Sequence, residues 1–400
     1  MPSAIVTGAT GILGREIVFE LAKNPSQWST IHALSRSKKA DYPANVKHGR
    51  IDLTGDVNKM AKDLEGMEAE YVFFAAYLQQ DTEQENWDVN GDMLHNFLDA
   101  LKLTGADRKV QRILLVTGVK QYGVHLGVPK NPMEETDPWL RGPEWPPNFY
   151  YRQQDILKEY SERSSWDWVV TYPNDVIGVA KGNFMNATTT LGLYVAVTKE
   201  MGQELYFPGS DKFYTMFDCF TDTRLHAQFC AWAALEPGAG NQAFNVVNGD
   251  VESWQNLWPK VARRFGVKIP EDQFAKPSTE GGRAKMQDQP PLSAWAKEMG
   301  LVGQTAQSMV EHRIDLVRWS QREDVKKAWE RLAEREGLDQ EAFGKETWWF
   351  LGFVLGRDFN IVVSMSKARE FGWTGYMDTW QSLSETLDEL EKLKVLPKSK

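Results

Sequence analysis

Short, unbroken apolar runs recur through the first half of the chain, at 5–7, 31–34, 71–76, 113–117 and 168–171, several of them flanked by Gly, Pro or Asp. Between them lie stretches of helical period, such as 15–23 with Ile17, Val18 and Leu21 on one side. Apolar strands joined by helical crossovers predict a parallel sheet covered on both faces. A run at 243–247 is expected to return to it. After Pro173 the pattern changes. Residues 183–202 read as a helix carrying Leu191, Val195 and Val197, and Leu205-Tyr206-Phe207-Pro208-Gly209-Ser210 is turn-rich. From Glu252 the chain turns helical, charged and rich in Trp. The stripe Leu383, Leu387, Leu390, Leu393, Leu396 reads as the core-facing side of a last helix. The expected mobile segment is 276–289, with Gly281-Gly282 and few apolar residues.

Composition narrows the function class. The 400 residues are enough for two or three structural units. With 46 basic against 55 acidic residues the net charge is −9, which argues against a nucleic-acid or anionic-membrane surface. The aromatic share of 12% fits a chain that lines an apolar cleft. Cys219 and Cys230 form no CxxC or metal-ligand spacing, so two isolated thiols are favoured over one disulfide, and no metal is expected. No apolar run spans a bilayer, and the opening Met-Pro-Ser-Ala-Ile-Val passes directly into a strand. The end, Pro-Lys-Ser-Lys, is not a peroxisomal address. A cytoplasmic, reduced protein is expected.

The sharpest motif is Thr7-Gly8-Ala9-Thr10-Gly11-Ile12-Leu13-Gly14. Three glycines, three apart, sit between a strand and a helix. There they permit a tight turn, close approach of the backbone to a pyrophosphate, and close helix–strand contact. The expected fold class is therefore α/β, a Rossmann-type doubly wound parallel sheet with a mainly helical C-terminal part for substrate. Its expected division is 1–180 for the dinucleotide, with 218–250 returning to it, and 181–217 with 251–400 for the substrate. Thr7, Gly8, Thr10, Gly11, Ile12 and Gly14 are the first candidate cofactor contacts.

The end of the second strand indicates which dinucleotide. NAD binders usually place a carboxylate there; this chain has Ser35-Arg36-Ser37-Lys38-Lys39. A guanidinium and two ammonium groups would meet a 2′-phosphate, which favours NADPH over a merely solvated basic turn. Asp52, followed by Leu53, is placed where a third strand could present it to the adenine. Further strand ends on that edge add Ala75, Ala76, Thr117, Gly118 and Val176, while Pro173, just past the run at 168–171, resembles a residue that packs near a nicotinamide.

A TGxxGxxG loop resembles the short-chain dehydrogenase/reductase superfamily, whose usual catalytic element is Tyr-x-x-x-Lys. None of the twelve tyrosines has Lys four residues later. An amine and a phenol can still come from separate places: Thr117-Gly118-Val119-Lys120-Gln121-Tyr122-Gly123 follows a strand, and Asn148-Phe149-Tyr150-Tyr151 opens a helix. These segments resemble the progesterone 5β-reductase/iridoid synthase-like (PRISE) family. So do Asp81-Thr82-Glu83-Gln84-Glu85-Asn86 with Asn90, Phe207-Pro208-Gly209-Ser210, Ala243-Phe244-Asn245 with Asn248-Gly249-Asp250, and Trp348-Trp349-Phe350. They run in order across nearly the whole chain. Two departures stand out: Gln121 replaces a usual His, and Gln153-Gln154-Asp155 replaces a more acidic segment.

The resemblance implies NADPH-dependent reduction of the carbon–carbon double bond of an enone or enal, in a small apolar carbonyl-containing substrate. It carries the dyad over to Lys120 and Tyr150, with Tyr150 touching cofactor and substrate alike. Lys120 is expected to lower the pKa of Tyr150 and orient its hydroxyl. Trp349 and Phe350 are expected to line the cleft, with Asn186 a polar contact; core packing is the alternative for each. A non-redox cyclase or isomerase, a carbonyl reductase or epimerase, and an NADP-binding regulator without catalysis stay open as other readings. A homodimer is also open.

Overall fold

The computed structural model describes residues 1–36, 41–180, 186–275 and 280–399. Ser37, Lys38 and Lys39 of the basic turn lie outside these. The central sheet contains β1 (Ser3–Thr7), β2 (Thr30–Ser35), β3 (Val46–Arg50), β4 (Tyr71–Phe74), β5 (Arg112–Val116), β6 (Asp167–Pro173) and β7 (Gln242–Val246). Its order is β7-β6-β5-β4-β1-β2-β3, and every pairing is parallel. The chain moves outward from β1 to β3, then returns to the other side of β1 for β4. With the short α2 (Val57–Asp63) leading from β3 to β4, right-handed crossovers place α1 (Ile12–Ala22) and α3 (Glu83–Thr104) on opposite faces. The reversal opens a crevice at the carboxyl ends of β1 and β4.

Ile5, Val6, Val72, Phe73, Ile113, Leu114, Val169 and Val170 are fully buried, which is why these runs are apolar without alternation. β3 is different. Its Val-Lys-His-Gly-Arg sequence lies at the solvent edge, where charge discourages further pairing, and it carries no apolar run. α4 (Phe149–Ser161) packs on α3, and a later helix, Thr223–Leu235, packs on α1.

A second core gathers α5 (Ala187–Glu200), α6 (Trp254–Phe265), α7 (Glu323–Glu336), α8 (Trp348–Gly356) and α9 (Thr379–Lys392). Trp254, Trp258, Trp319, Trp329 and Trp348 are buried in it and pack ring against ring with one another or with Phe207 and Phe343, Trp254 edgewise on Trp258 and Trp329 stacked on Phe343. The aromatic richness thus goes mainly to packing, not to lining a cleft as composition suggested. The leucine stripe also needs correction. Leu383, Leu387 and Leu390 are core, but α9 ends at Lys392, Leu393 is 37% exposed, and Leu396 re-enters the core after Lys394 takes a positive φ of 60°.

Of the segment expected to be mobile, 276–279 lie outside the described residues. Gly282–Lys285 pairs antiparallel with Met309–His312 as a small ribbon. Cys219 and Cys230 are buried and unbridged, and burial pushes the Cys219 thiol up to about 12. Among the described residues no helix is long and apolar enough to cross a membrane.

Candidate active site

Backbone geometry explains the glycine spacing. Gly8 has φ of +66°, and a Cβ there would stand 2.5 Å from the Ala75 carbonyl oxygen, so β1 and β4 approach too closely for any side chain. A Cβ on Gly14 would stand 2.2 Å from the Gly8 carbonyl oxygen. Gly11 caps α1 without a side-chain acceptor, and no acidic residue occupies the first turn. The helix therefore presents uncompensated N–H groups and the positive end of its dipole to the crevice.

Above the loop lies a cavity of about 690 Å³ that runs along the carboxyl edge of the sheet. Gly8, Thr10, Gly11 and Ile12 form its floor. Ser35, Arg36, Asp52 and Leu53 stand at one end; Ala75, Ala76, Thr117, Gly118, Tyr150, Pro173 and Val176 line its length. Thr7 and Gly14 do not reach it: Thr7 is fully buried in the sheet, and Gly14 serves only the contact with Gly8. The Ser35 hydroxyl lies 2.9 Å from His48 Nε2. Asp52 accepts the Thr54 hydroxyl at 2.7 Å, which holds its carboxyl below the usual carboxylate range.

The segment after β4 is held by two buried asparagines. The Leu78 N–H donates to Asn90 Oδ1 and Asn90 Nδ2 donates back to the Leu78 carbonyl, both at 2.9 Å. The Gln80 N–H donates to Asn86 Oδ1 at 2.9 Å. Asn86 and Asn90 were legible only as part of a resemblance. Here they latch the loop that carries Tyr77 into the cavity.

Lys120 and Tyr150 arrive from opposite sides of one junction. Lys120 sits in the single turn Val119–Tyr122 after β5, and Tyr150 in the first turn of α4. Asn148 ties them: its Nδ2 donates to the Lys120 carbonyl at 2.9 Å and its Oδ1 accepts the Tyr150 N–H at 3.1 Å. The Tyr150 hydroxyl would lie 3.3 Å from a Cβ on Gly118, beside the Pro173 carbonyl, so glycine leaves the space above it open. The Lys120 ammonium donates to both oxygens of Glu83, at 2.8 and 2.6 Å, and lies 5.3 Å from the centre of the Phe149 ring. No hydrogen bond joins it to Tyr150. The expected lowering of the Tyr150 pKa is accordingly not found. Burial raises it and the Glu83 carboxylate raises it further, while Glu83 matches the lysine's charge. Burial also lowers the Lys120 pKa, against the pull of Glu83.

Elsewhere on the cavity wall, α8 contributes Trp349, Phe350 and Phe353, and Tyr77 stacks on Phe149 at 5.2 Å between centroids. Asn186 is not on this wall. Its Oδ1 accepts the Thr189 N–H at 3.1 Å as the N-cap of α5, and it is buried away from the cavity. Of the departures, Gln153 lines the cavity, but Gln121 and Gln154 are absent from its wall. They bond to each other at 2.8 Å in the core, and Tyr172 donates to Gln154 at 2.7 Å, so the two changes answer one another. Residues the sequence reading did not assign to the site include Glu83, Tyr77, His125, Phe353, Asp175 and Arg357. Among the described residues both ring nitrogens of His125 are buried without a hydrogen-bond partner, and burial holds its pKa well below 6.5. Arg357, at the end of α8, grips Asp175 through two bonds of 2.5 and 3.0 Å and fixes that residue's unusual φ of 23°.

A doubly wound sheet whose switch-point crevice bears a glycine loop, a phenol and an amine defines a Rossmann-type fold of the extended short-chain dehydrogenase/reductase kind. The profile of the PRISE-like Rossmann-fold domain matches residues 4–286, and the chain belongs to that family. It is 42% identical to an uncharacterized protein of Schizosaccharomyces pombe, over 99% of this chain and 98% of that one. It is 29% identical to an (S)-8-oxocitronellyl enol synthase of Camptotheca acuminata, over 98% of this chain and 93% of that one. With the 3-oxo-Delta(4,5)-steroid 5-beta-reductase of Arabidopsis thaliana it shares 27% identity, over 98% and 93%. Among solved structures, the Bordetella bronchiseptica enzyme WbmG in complex with NAD superposes with a TM-score of 0.58 at 15% identity, covering 99% of this chain and 96% of that one. That likeness concerns the fold alone.

Proposed function

We propose that the protein is an NADPH-dependent oxidoreductase that reduces the activated carbon–carbon double bond of a small apolar enone or enal. The observation that carries this reading is the pairing of Tyr150 and Lys120, bound together through Asn148, on the wall of the cavity floored by Gly8 and Gly11. The 5-beta-reductase and enol synthase among its relatives support the reaction class.

The residues present suit a dinucleotide. Any Cβ at Gly8 or Gly14 would collide with backbone, so the loop is shaped for close approach, and the open helix end behind it favours a pyrophosphate. Arg36 and the absence of a carboxylate at the end of β2 favour a 2′-phosphate there. A reduced nicotinamide, when bound, supplies a hydride to the substrate's β-carbon.

The chain's own work is electrostatic. Negative charge moves onto the carbonyl oxygen as the β-carbon gains its hydrogen, and the Tyr150 hydroxyl donates a hydrogen bond to that oxygen. One such preorganised donor lowers the barrier by about 3–4 kcal/mol. Two of the three Lys120 N–H groups are held by Glu83, leaving one to orient a ligand. Water supplies the α-carbon proton. Trp349, Phe350 and Phe353 exclude water and hold the apolar body of the substrate.

The test is incubation with NADPH and a panel of enones, enals and steroid enones, followed by cofactor absorbance and product mass. A gain of two hydrogens with the carbonyl retained supports the proposal. An alcohol product, a rearranged product without NADPH consumption, or binding without turnover each overturns it.

A further inference from the structure

We infer that Glu83 is a positioning residue that cancels the Lys120 charge, so that Tyr150 serves as a protonated donor and not as a phenolate. This rests on the reading of Tyr150 as the donor to the substrate oxygen. A phenolate could not donate that bond, and it would repel the charge developing there. A buried ammonium beside a phenol lowers its pKa; a carboxylate on the ammonium removes the effect.

The geometry is built for such a balance. Glu83 is the first residue of the 22-residue helix α3, whose N-cap Thr82 closes a capping box with Glu85. The carboxylate is thus set by a rigid element, not by a loop. Both its oxygens contact the Lys120 ammonium, and both residues line the cavity. Phe149 packs against both the pair and Tyr150: its ring lies 5.3 Å from the ammonium and 4.4 Å from the Tyr150 ring. The other titratable groups facing this end of the cavity do not supply a charge. Tyr77, from the segment after β4, is held protonated by burial and by Tyr150 and Glu83. His125, from the Lys120 loop, is held neutral by burial and by Lys120. Asp175 and Arg357, on the far wall, are bonded to each other. On α4, the Arg152 guanidinium points outward to Asp92.

The experiment follows tyrosinate absorbance against pH in the free protein, with wild type compared with Glu83→Gln and with Glu83→Gln combined with Tyr150→Phe. One tyrosine is expected to ionise roughly one to three pH units earlier in Glu83→Gln, and this step is expected to vanish when Tyr150→Phe is added. Adding Lys120→Met to Glu83→Gln is expected to restore the wild-type titration. Titration of Glu83→Gln like wild type, or a shift that persists without Lys120, overturns the inference. If Glu83→Gln does not fold, Glu83→Asp, which loosens the contact by one methylene, is expected to show a smaller shift in the same direction; none overturns it. Because no substrate is used, the result is separate from the enone panel. An inactive wild-type protein with the expected titration refutes the reductase reading alone.

Discussion

The Asn148 side chain donates to the backbone carbonyl of Lys120 at 2.9 Å while also capping the helix that begins with Phe149 and Tyr150. One residue therefore sets the register between two loops that sequence separates by 28 positions. Asn148→Ala is expected to destabilise the fold by about 0.5–2 kcal/mol, the usual loss for an N-cap. It is expected to lower kcat by on the order of 100-fold, because a small misplacement of a catalytic group is costly. Thermal melts and steady-state kinetics check both effects. A full melt shift with unaltered kcat would confine Asn148 to capping.

Arg36 stands at the cavity end where a ribose phosphate is expected. Arg36→Ala should weaken NADPH binding by about 10–100-fold, the worth of a hydrogen bond to a charged group, and leave NADH binding unchanged. Fluorescence titration with each cofactor measures it. Equal losses for both cofactors would remove Arg36 from the 2′-phosphate.

The loop itself offers a steric test. Gly14→Ala puts a methyl group 2.2 Å from the Gly8 carbonyl oxygen, a contact only backbone movement can relieve. Overpacking of about 1–3 kcal/mol is expected, with loss of dinucleotide binding. A folded Gly14→Ala protein that still bound NADPH with wild-type affinity would contradict the role given to that contact.

Acid should weaken the fold through its buried histidines. His226 Nε2 lies 3.0 Å from the Thr171 hydroxyl, and burial lowers its pKa from 6.5 to about 3. Between those values the unfolded chain binds a proton that the folded protein refuses. Stability is therefore fully present above pH 6.5 and falls as pH drops toward 3, by up to about 1.4 kcal/mol per pH unit. His125 adds to the same slope. Urea unfolding across this range should show a flatter dependence, by one proton, in His226→Gln. An unchanged slope would argue against a neutral buried His226.

What could be read from the chain follows from how local each signal is. The glycine loop was legible because its backbone conformation and close contacts admit one residue type. The apolar strands were legible because burial on both faces leaves no polar position; β3 was harder to place because an edge strand needs no apolar run. The Glu83–Lys120 pair spans 37 residues and depends on how α3 meets the β5 loop, which no spacing rule reports. Asn186 was misjudged for a similar reason: an asparagine at a helix start is as apt to cap as to bind, and its neighbours decide. Trp349 was separable from the buried Trp348 only by the rotation of α8.

The most direct test of the whole account is Tyr150→Phe, which removes one oxygen from the cavity wall and leaves the ring that packs on Phe149. On an enone that wild type reduces, kcat is expected to fall about 100–1000-fold, with the Kd for NADPH within a factor of about two. Turnover at the wild-type rate would contradict the assignment of the phenol as the group that stabilises the developing oxyanion.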